Sequence, residues 1–208
     1  MLRFLNCAFK FFKEKAKTSH LCGAVLGVCV LFPYVVHALE TKDHLKPEVV
    51  QIKQVTPSLK SIMQDQRLVG NIHYSYWFWG VYDAFLYSKN GKFSWSHGFV
   101  LKLKYLRDFT GKSIVDETIE QIHKQQGDKV PQTALTLWEK ELIKIFPDIK
   151  ENDQLIGVYD IRGITFFYNG KGKFLGKVKG QPFAKSFFDI WLGDNAQEAD
   201  LSRKLRGL

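Results

Sequence analysis

The sequence predicts an α+β fold, a mainly antiparallel sheet covered by helices, and three observations carry that reading. Segments alternating apolar and polar residues follow one another through tight turns, two helical stripes interrupt them, and a strongly aromatic helix comes after the last of them. Strands joined by turns make an antiparallel sheet, and helices gathered in a pair and at the end belong to α+β architecture.

In the first strand Leu68, Ile72, Tyr74, Tyr76 and Phe78 alternate with Val69, Asn71, His73, Ser75 and Trp77. "VYDAFLYS" continues as a second strand, and Asn90-Gly91 supplies residues that accept positive φ in a tight hairpin turn. Phe99, Leu101, Leu103 and Tyr105 then face one way while Lys102 and Lys104 face the other, a half-buried strand with one wet side.

Two helices follow. In "SIVDETIEQIHKQ" a stripe of Ile114, Val115, Thr118, Ile119 and Ile122 has helical spacing, with Ser113 and Asp116 at its start. In "PQTALTLWEKELIKIF" Leu135, Trp138, Leu142, Ile145 and Phe146 line one side between Pro131 and Pro147. "QLIGVYD", "ITFFYN" and "KFLGKV", linked at Ile161-Arg162-Gly163 and Asn169-Gly170, read as a three-stranded meander. Pro182 opens the aromatic helix, Gly193 suits a left-handed stop, and a short helix over 197–205 closes the chain.

That aromatic helix, "AKSFFDIWLG", raises the functional question. Phe183, Phe187 and Trp191 lie at i, i+4 and i+8, with Ala184, Phe188 and Leu192 beside them. Only Lys185, Ser186 and Asp189 remain for a polar side, so the helix must be sandwiched. Core packing explains this, each buried aromatic contributing about 1.5–3 kcal/mol. A second explanation is that the helix forms one wall of a cavity.

The amino terminus bears on compartment. Arg3, Lys10, Lys13, Lys15 and Lys17 face one acid, Glu14; residues 21–36 carry no charge; Val36-His37-Ala38 follows. This is the pattern of a secretory signal cut after Ala38, giving a periplasmic protein. The alternative is a retained inner-membrane anchor, for which the run is short of the ~20 residues a spanning helix takes and Pro33 is badly placed. Cleavage would remove Cys7, Cys22 and Cys29, leaving a fold held by packing alone. Residues 39–66 form a polar lead-in with one short strand at Val49, Ile52 and Val55, and the domain occupies 67–208.

The remaining bases are scattered among acids, which describes a solvated surface and not a nucleic-acid face. "TGKS" lacks the glycine of a phosphate loop, position 106 being Leu106, and "GKGKFLG" misses the dinucleotide spacing. His44, His73, His97 and His123 stand apart without ligand spacing, so no metal site and no cofactor are expected. Asp83, inside an apolar strand, is the most suggestive carboxylate; as a buried acid it could serve as a base, or it bonds nearby backbone.

"FWGVYDAFLYSKNGKFS", "FVLKLKYLRDFTGKSI", "IFPDIKENDQLIGVY", "ITFFYNGKGKFLGKVKGQPFAKSFFDIWLG" and "LSRKLRGL" together resemble the bacterial exported branch of the chalcone isomerase-like proteins. The resemblance spans about residues 67–208 and implies an open-faced β-sandwich, with a ligand cleft between sheet and helices. Plant members of the family close a flavanone ring with an arginine, a threonine, a tyrosine and an asparagine, whereas other relatives bind fatty acids. Thr110 and Gly111 match the enzymes' helix start, but the tyrosine position is Ile114 and the asparagine position Gln121. The threonine position falls on Tyr82 and the arginine position on Gly70. Without a cation for the phenolate and a hydroxyl for the ketone, the electrostatics of that cyclisation are missing.

The resemblance therefore implies a non-catalytic module for an apolar or amphipathic small molecule, such as an acyl chain. Tyr82 would meet its head group, and Trp79, Tyr105, Phe187 and Trp191 would line its wall. The membrane would be met only through an uncleaved leader. Two alternatives stand beside this: an intramolecular lyase with a site rearranged around Tyr82 and Asp83, and a partner-binding scaffold with a filled core.

Overall fold

The computed structural model describes residues 56–208. Its elements are α1 (Leu59–Met63), β1 (Arg67–Tyr76), β2 (Trp79–Ser88), β3 (Phe99–Tyr105), α2 (Gly111–Gln126), a 3-10 turn (Gly127–Lys129), α3 (Gln132–Ile145), β4 (Gln154–Asp160), β5 (Ile164–Asn169), β6 (Phe174–Lys179), α4 (Gln181–Leu192) and α5 (Ala199–Leu205). The leader, its cleavage point after Ala38 and the strand expected at Val49, Ile52 and Val55 lie outside the described residues. Among the described residues no helix is long and apolar enough to cross a membrane.

The strands form one sheet in chain order, every neighbour antiparallel. Alternation along each strand then sorts side chains between two faces. Ala84, Leu86, Phe99, Leu101, Leu103, Leu155, Tyr159, Phe167 and Val178 pack on one side against Val115 and Ile122 of α2, Leu135 and Leu142 of α3, and the phenylalanines of α4. On the opposite face Val100, Ile156, Val158, Phe166 and Tyr168 gather around Leu59 of α1. The Tyr168 hydroxyl donates to the Pro57 carbonyl at 2.7 Å, fastening the segment before α1 to that face. Lys102, expected on a wet side, lays its stem across it, with Nζ 4.5 Å from the Phe85 ring centre and 5.3 Å from that of Tyr87.

Helix α4 is sandwiched, as its composition requires. Phe187 meets Phe167 edge-on at 5.3 Å, and Phe188 meets Phe99 at 4.9 Å. Gly157 makes room beneath them, since a Cβ there would stand 3.2 Å from the Phe188 ring. Even the polar Ser186 and Asp189 are buried, Asp189 being paired with Lys185 Nζ at 2.8 Å.

Three local expectations are corrected. Asn90-Gly91 begins the β2–β3 connection, with Gly91 at φ 68°, but the chain runs on through 98 because Phe93 and Trp95 turn inward against Phe99, each at 5.4 Å. Helix α2 starts at Gly111 and its cap is Thr110, whose hydroxyl accepts from the Ser113 N–H at 3.2 Å, so Ser113 and Asp116 lie within the first turns. Gly193 is not left-handed, having φ −76°. Its place is set by close approach, since a Cβ would come 2.7 Å from the Asp189 carbonyl oxygen.

Candidate functional site

A row of tyrosines crosses three adjacent strands on the helix-covered face. Cross-strand register puts Tyr74 of β1 opposite Tyr82 of β2, and Tyr82 opposite Tyr105 of β3. Directly paired positions bring side chains into contact. The Tyr74 and Tyr82 rings stack at 5.0 Å, and Tyr105 presents its ring to Tyr82 edge-on at 6.2 Å.

Helix α4 closes over this row. Its spacing sets Phe187 and Trp191 one turn apart, with ring centres 5.4 Å from each other. Trp191, half-buried at the end of the aromatic stripe, turns its indole to the sheet and donates from Nε1 to the Tyr82 hydroxyl at 3.0 Å. Among the described residues no hydrogen bond uses the proton of that hydroxyl, so it is available as a donor.

From α2, buried Gln121 donates its amide to Glu117 Oε1 at 2.7 Å. Burial pushes the Tyr82 phenol far above the ordinary tyrosine range; the Trp191 bond opposes this, while Tyr74, Tyr105 and Glu117 add to it. Tyr74 is raised in the same direction by burial, then by Glu198 and Glu117. Tyr105 is raised by burial alone. The site is thus lined by neutral hydroxyls under a negative field. Tyr82 is a hydrogen-bond donor there and not a phenolate base.

Of the residues singled out in the sequence, the structure brings Tyr82, Tyr105, Phe187 and Trp191 together. Trp79 stands off, at the mouth of the β1–β2 hairpin opposite Tyr76, where it is exposed. The Arg107 guanidinium lies 4.8 Å from its ring centre, and the buried Arg107 Nε has no hydrogen-bond partner. Sequence reasoning missed Tyr74, Glu117 and Arg107. Tyr74 carried the alternation signal of its strand, but its pairing to Tyr82 depends on the bulge between Tyr74 and Ser75. Glu117 could be sought one helical turn before Gln121.

The positions that the resemblance matches with a cyclase site are filled by other things. A Cβ at Gly70 would stand 2.4 Å from the Lys204 carbonyl oxygen and 2.6 Å from that of Leu205, so α5 occupies the space an arginine side chain would need. Ile114 packs against the main core, and the Gln121 amide is engaged by Glu117. Asp83 does not bond nearby backbone: one of its carboxylate oxygens sits 2.7 Å from Nδ1 of His73, its cross-strand partner. Being next to Tyr82 in a strand, it points to the opposite face of the sheet.

With this geometry in hand, the relatives are informative. A fatty-acid binding protein of Arabidopsis thaliana superposes with a TM-score of 0.50 at 15% identity, covering 68% of this chain and 89% of that one. Its match is one of 37 among chains of solved structures, and it shows the shared fold. No curated protein matches this sequence. A family model described as chalcone isomerase-like matches residues 51–207, and the chain belongs to that family.

Proposed function

We propose that the domain is a non-catalytic carrier of an amphipathic small molecule, an acyl chain with an uncharged head group, admitted between the sheet and α4 at Tyr82 and Trp191. The observation that carries this is the Trp191–Tyr82 bond, a polar contact set among aromatic rings where the two layers meet. Small-molecule sites have this composition, apolar walls with a few placed polar groups. The acidic field of Glu117 and the α5 backbone over Gly70 favour a protonated or neutral head over a bare carboxylate. The Arabidopsis neighbour, itself named as a fatty-acid binding protein, supports the class of ligand. In this reading the chain works in the periplasm, delivered by the leader and cut after Ala38; intact-mass analysis that finds Met1 retained contradicts the cleavage.

Native mass spectrometry of the gently purified protein, alone and with added long-chain fatty acid or monoglyceride, tests the carrier reading. An acyl-sized adduct and a thermal upshift are expected. No adduct together with no shift overturns it and favours a second reading, a scaffold whose core is filled. The interlocking of Phe187 and Phe188 with Phe167 and Phe99 is what speaks for that alternative.

A further inference from the structure

The turn between β1 and β2 displays three consecutive aromatic side chains to solvent: Trp77 is 74% exposed, Phe78 93% and Trp79 60%. The backbone is also unusual there, because Trp77 takes φ 57°. A two-residue hairpin turn favours glycine where φ is positive, and a bulky residue held in that region is strained by about 1–3 kcal/mol. Nothing in the packing of the domain requires an indole at that point. Chemistry outside the domain would account for it.

We propose that this turn is an anchor for a lipid bilayer interface, which docks the ligand seam onto the membrane. Three properties select a bilayer over a protein partner. Trp side chains prefer the headgroup region, where an apolar ring and a polar N–H are both accommodated. The tip is narrow: three exposed aromatics offer roughly 400 Å², about half of what one side of a stable protein interface buries. Arg107 also places its guanidinium 4.8 Å from the Trp79 ring centre, a cation beside the tip of the sign that attracts lipid phosphates. The tip and the seam are one piece of chain, Trp79 preceding Tyr82 by a single strand segment of β2. An acyl ligand leaving the bilayer along the hairpin would therefore meet Tyr74 and Tyr82 first. This extends the sequence expectation, in which only the leader met the membrane, and it rests on the carrier reading for its purpose but not for its test.

The full chain can be used as it is, because all 5 tryptophans lie at or beyond Trp77 and none is in the leader. Its tryptophan emission is recorded with vesicles of brominated phosphatidylcholine and phosphatidylglycerol in a roughly two-to-one ratio. Quenching and a blue shift are expected, even if the leader also holds the protein to the vesicle. Phe78→Glu, at a position exposed enough to leave the fold intact, should abolish most of the quenching, and Trp77→Ser/Trp79→Ser should remove the quenched component. Arg107→Gln should weaken the effect on anionic vesicles more than on neutral ones. Absent quenching, or quenching unchanged by Phe78→Glu, overturns the proposal. So does self-association that Phe78→Glu abolishes without vesicle quenching, which would assign the tip to a second copy. A fatty-acid adduct without tip quenching would leave the carrier reading intact and sink only the anchor.

Discussion

Trp191 and Tyr82 are joined across the two layers of the domain, the indole N–H donating to the phenolic oxygen at 3.0 Å although 109 residues separate them in the chain. Phe187 and Phe188 meet the sheet through interlocked rings; Trp191 meets it through a polar contact that a head group can share.

Trp191→Phe keeps an aromatic ring but removes the donor. A neutral hydrogen bond of this kind is worth about 0.5–1.5 kcal/mol net, so denaturant titration should show a loss in that range. Acyl binding should fall by more than the Phe187→Leu variant loses through packing, measured by titration calorimetry. A double-mutant cycle with Tyr82→Phe should show coupling between the two positions.

Gly70→Arg puts an arginine at the position that the resemblance to the family matches with the arginine of its cyclases. Because its Cβ would meet the Lys204 carbonyl at 2.4 Å, α5 has to be displaced. We expect destabilisation of roughly 2–4 kcal/mol in thermal or denaturant melts and no acceleration of chalcone ring closure. Wild-type stability with new isomerase activity would contradict the reading that α5 leaves no room for an arginine there.

Head-group charge should decide affinity. With Glu117 beside the seam, a fatty acid should bind more tightly as the pH falls and the acid takes up its proton, whereas a monoglyceride should bind alike across the same range. Glu117→Gln should strengthen fatty-acid binding at neutral pH and leave the monoglyceride unaffected, as competition titrations would show.

The raised tyrosines set an alkaline limit. In the unfolded chain tyrosine ionises near pH 10, while burial keeps Tyr82 and Tyr105 protonated in the fold to higher pH. The folded state binds more protons there, so this stability is whole below pH of about 10 and is lost as the pH rises toward the folded values. Melting temperatures of Tyr82→Phe should decline less steeply with alkaline pH than those of the wild type.

Much of this fold was legible because strand and helix periods differ so clearly: the β4–β5–β6 meander and helices α2, α3 and α4 follow directly from spacing. Tyr82, Tyr105 and Trp191 were legible as aromatics on the faces that those periods bury. Two kinds of feature were not. Gly70 gives no local sign that α5 will lie on it, because that contact joins the two ends of the domain. Trp77 and Phe78 read as the continuation of an alternating strand, and only the two-residue turn after Tyr76 turns them out to solvent. Aromatic spacing alone cannot tell a buried ring from a displayed one.

The central claim is that an acyl chain lies between α4 and the tyrosine row. It is tested most directly with a long-chain fatty acid bearing a diazirine on its tail, irradiated with the protein and mapped by mass spectrometry of the digest. The account predicts labelling on Tyr82, Tyr105, Phe187 or Trp191, lost when excess unlabelled monoglyceride is added. Labelling confined to Trp77, Phe78 and Trp79, or none at all, would contradict it.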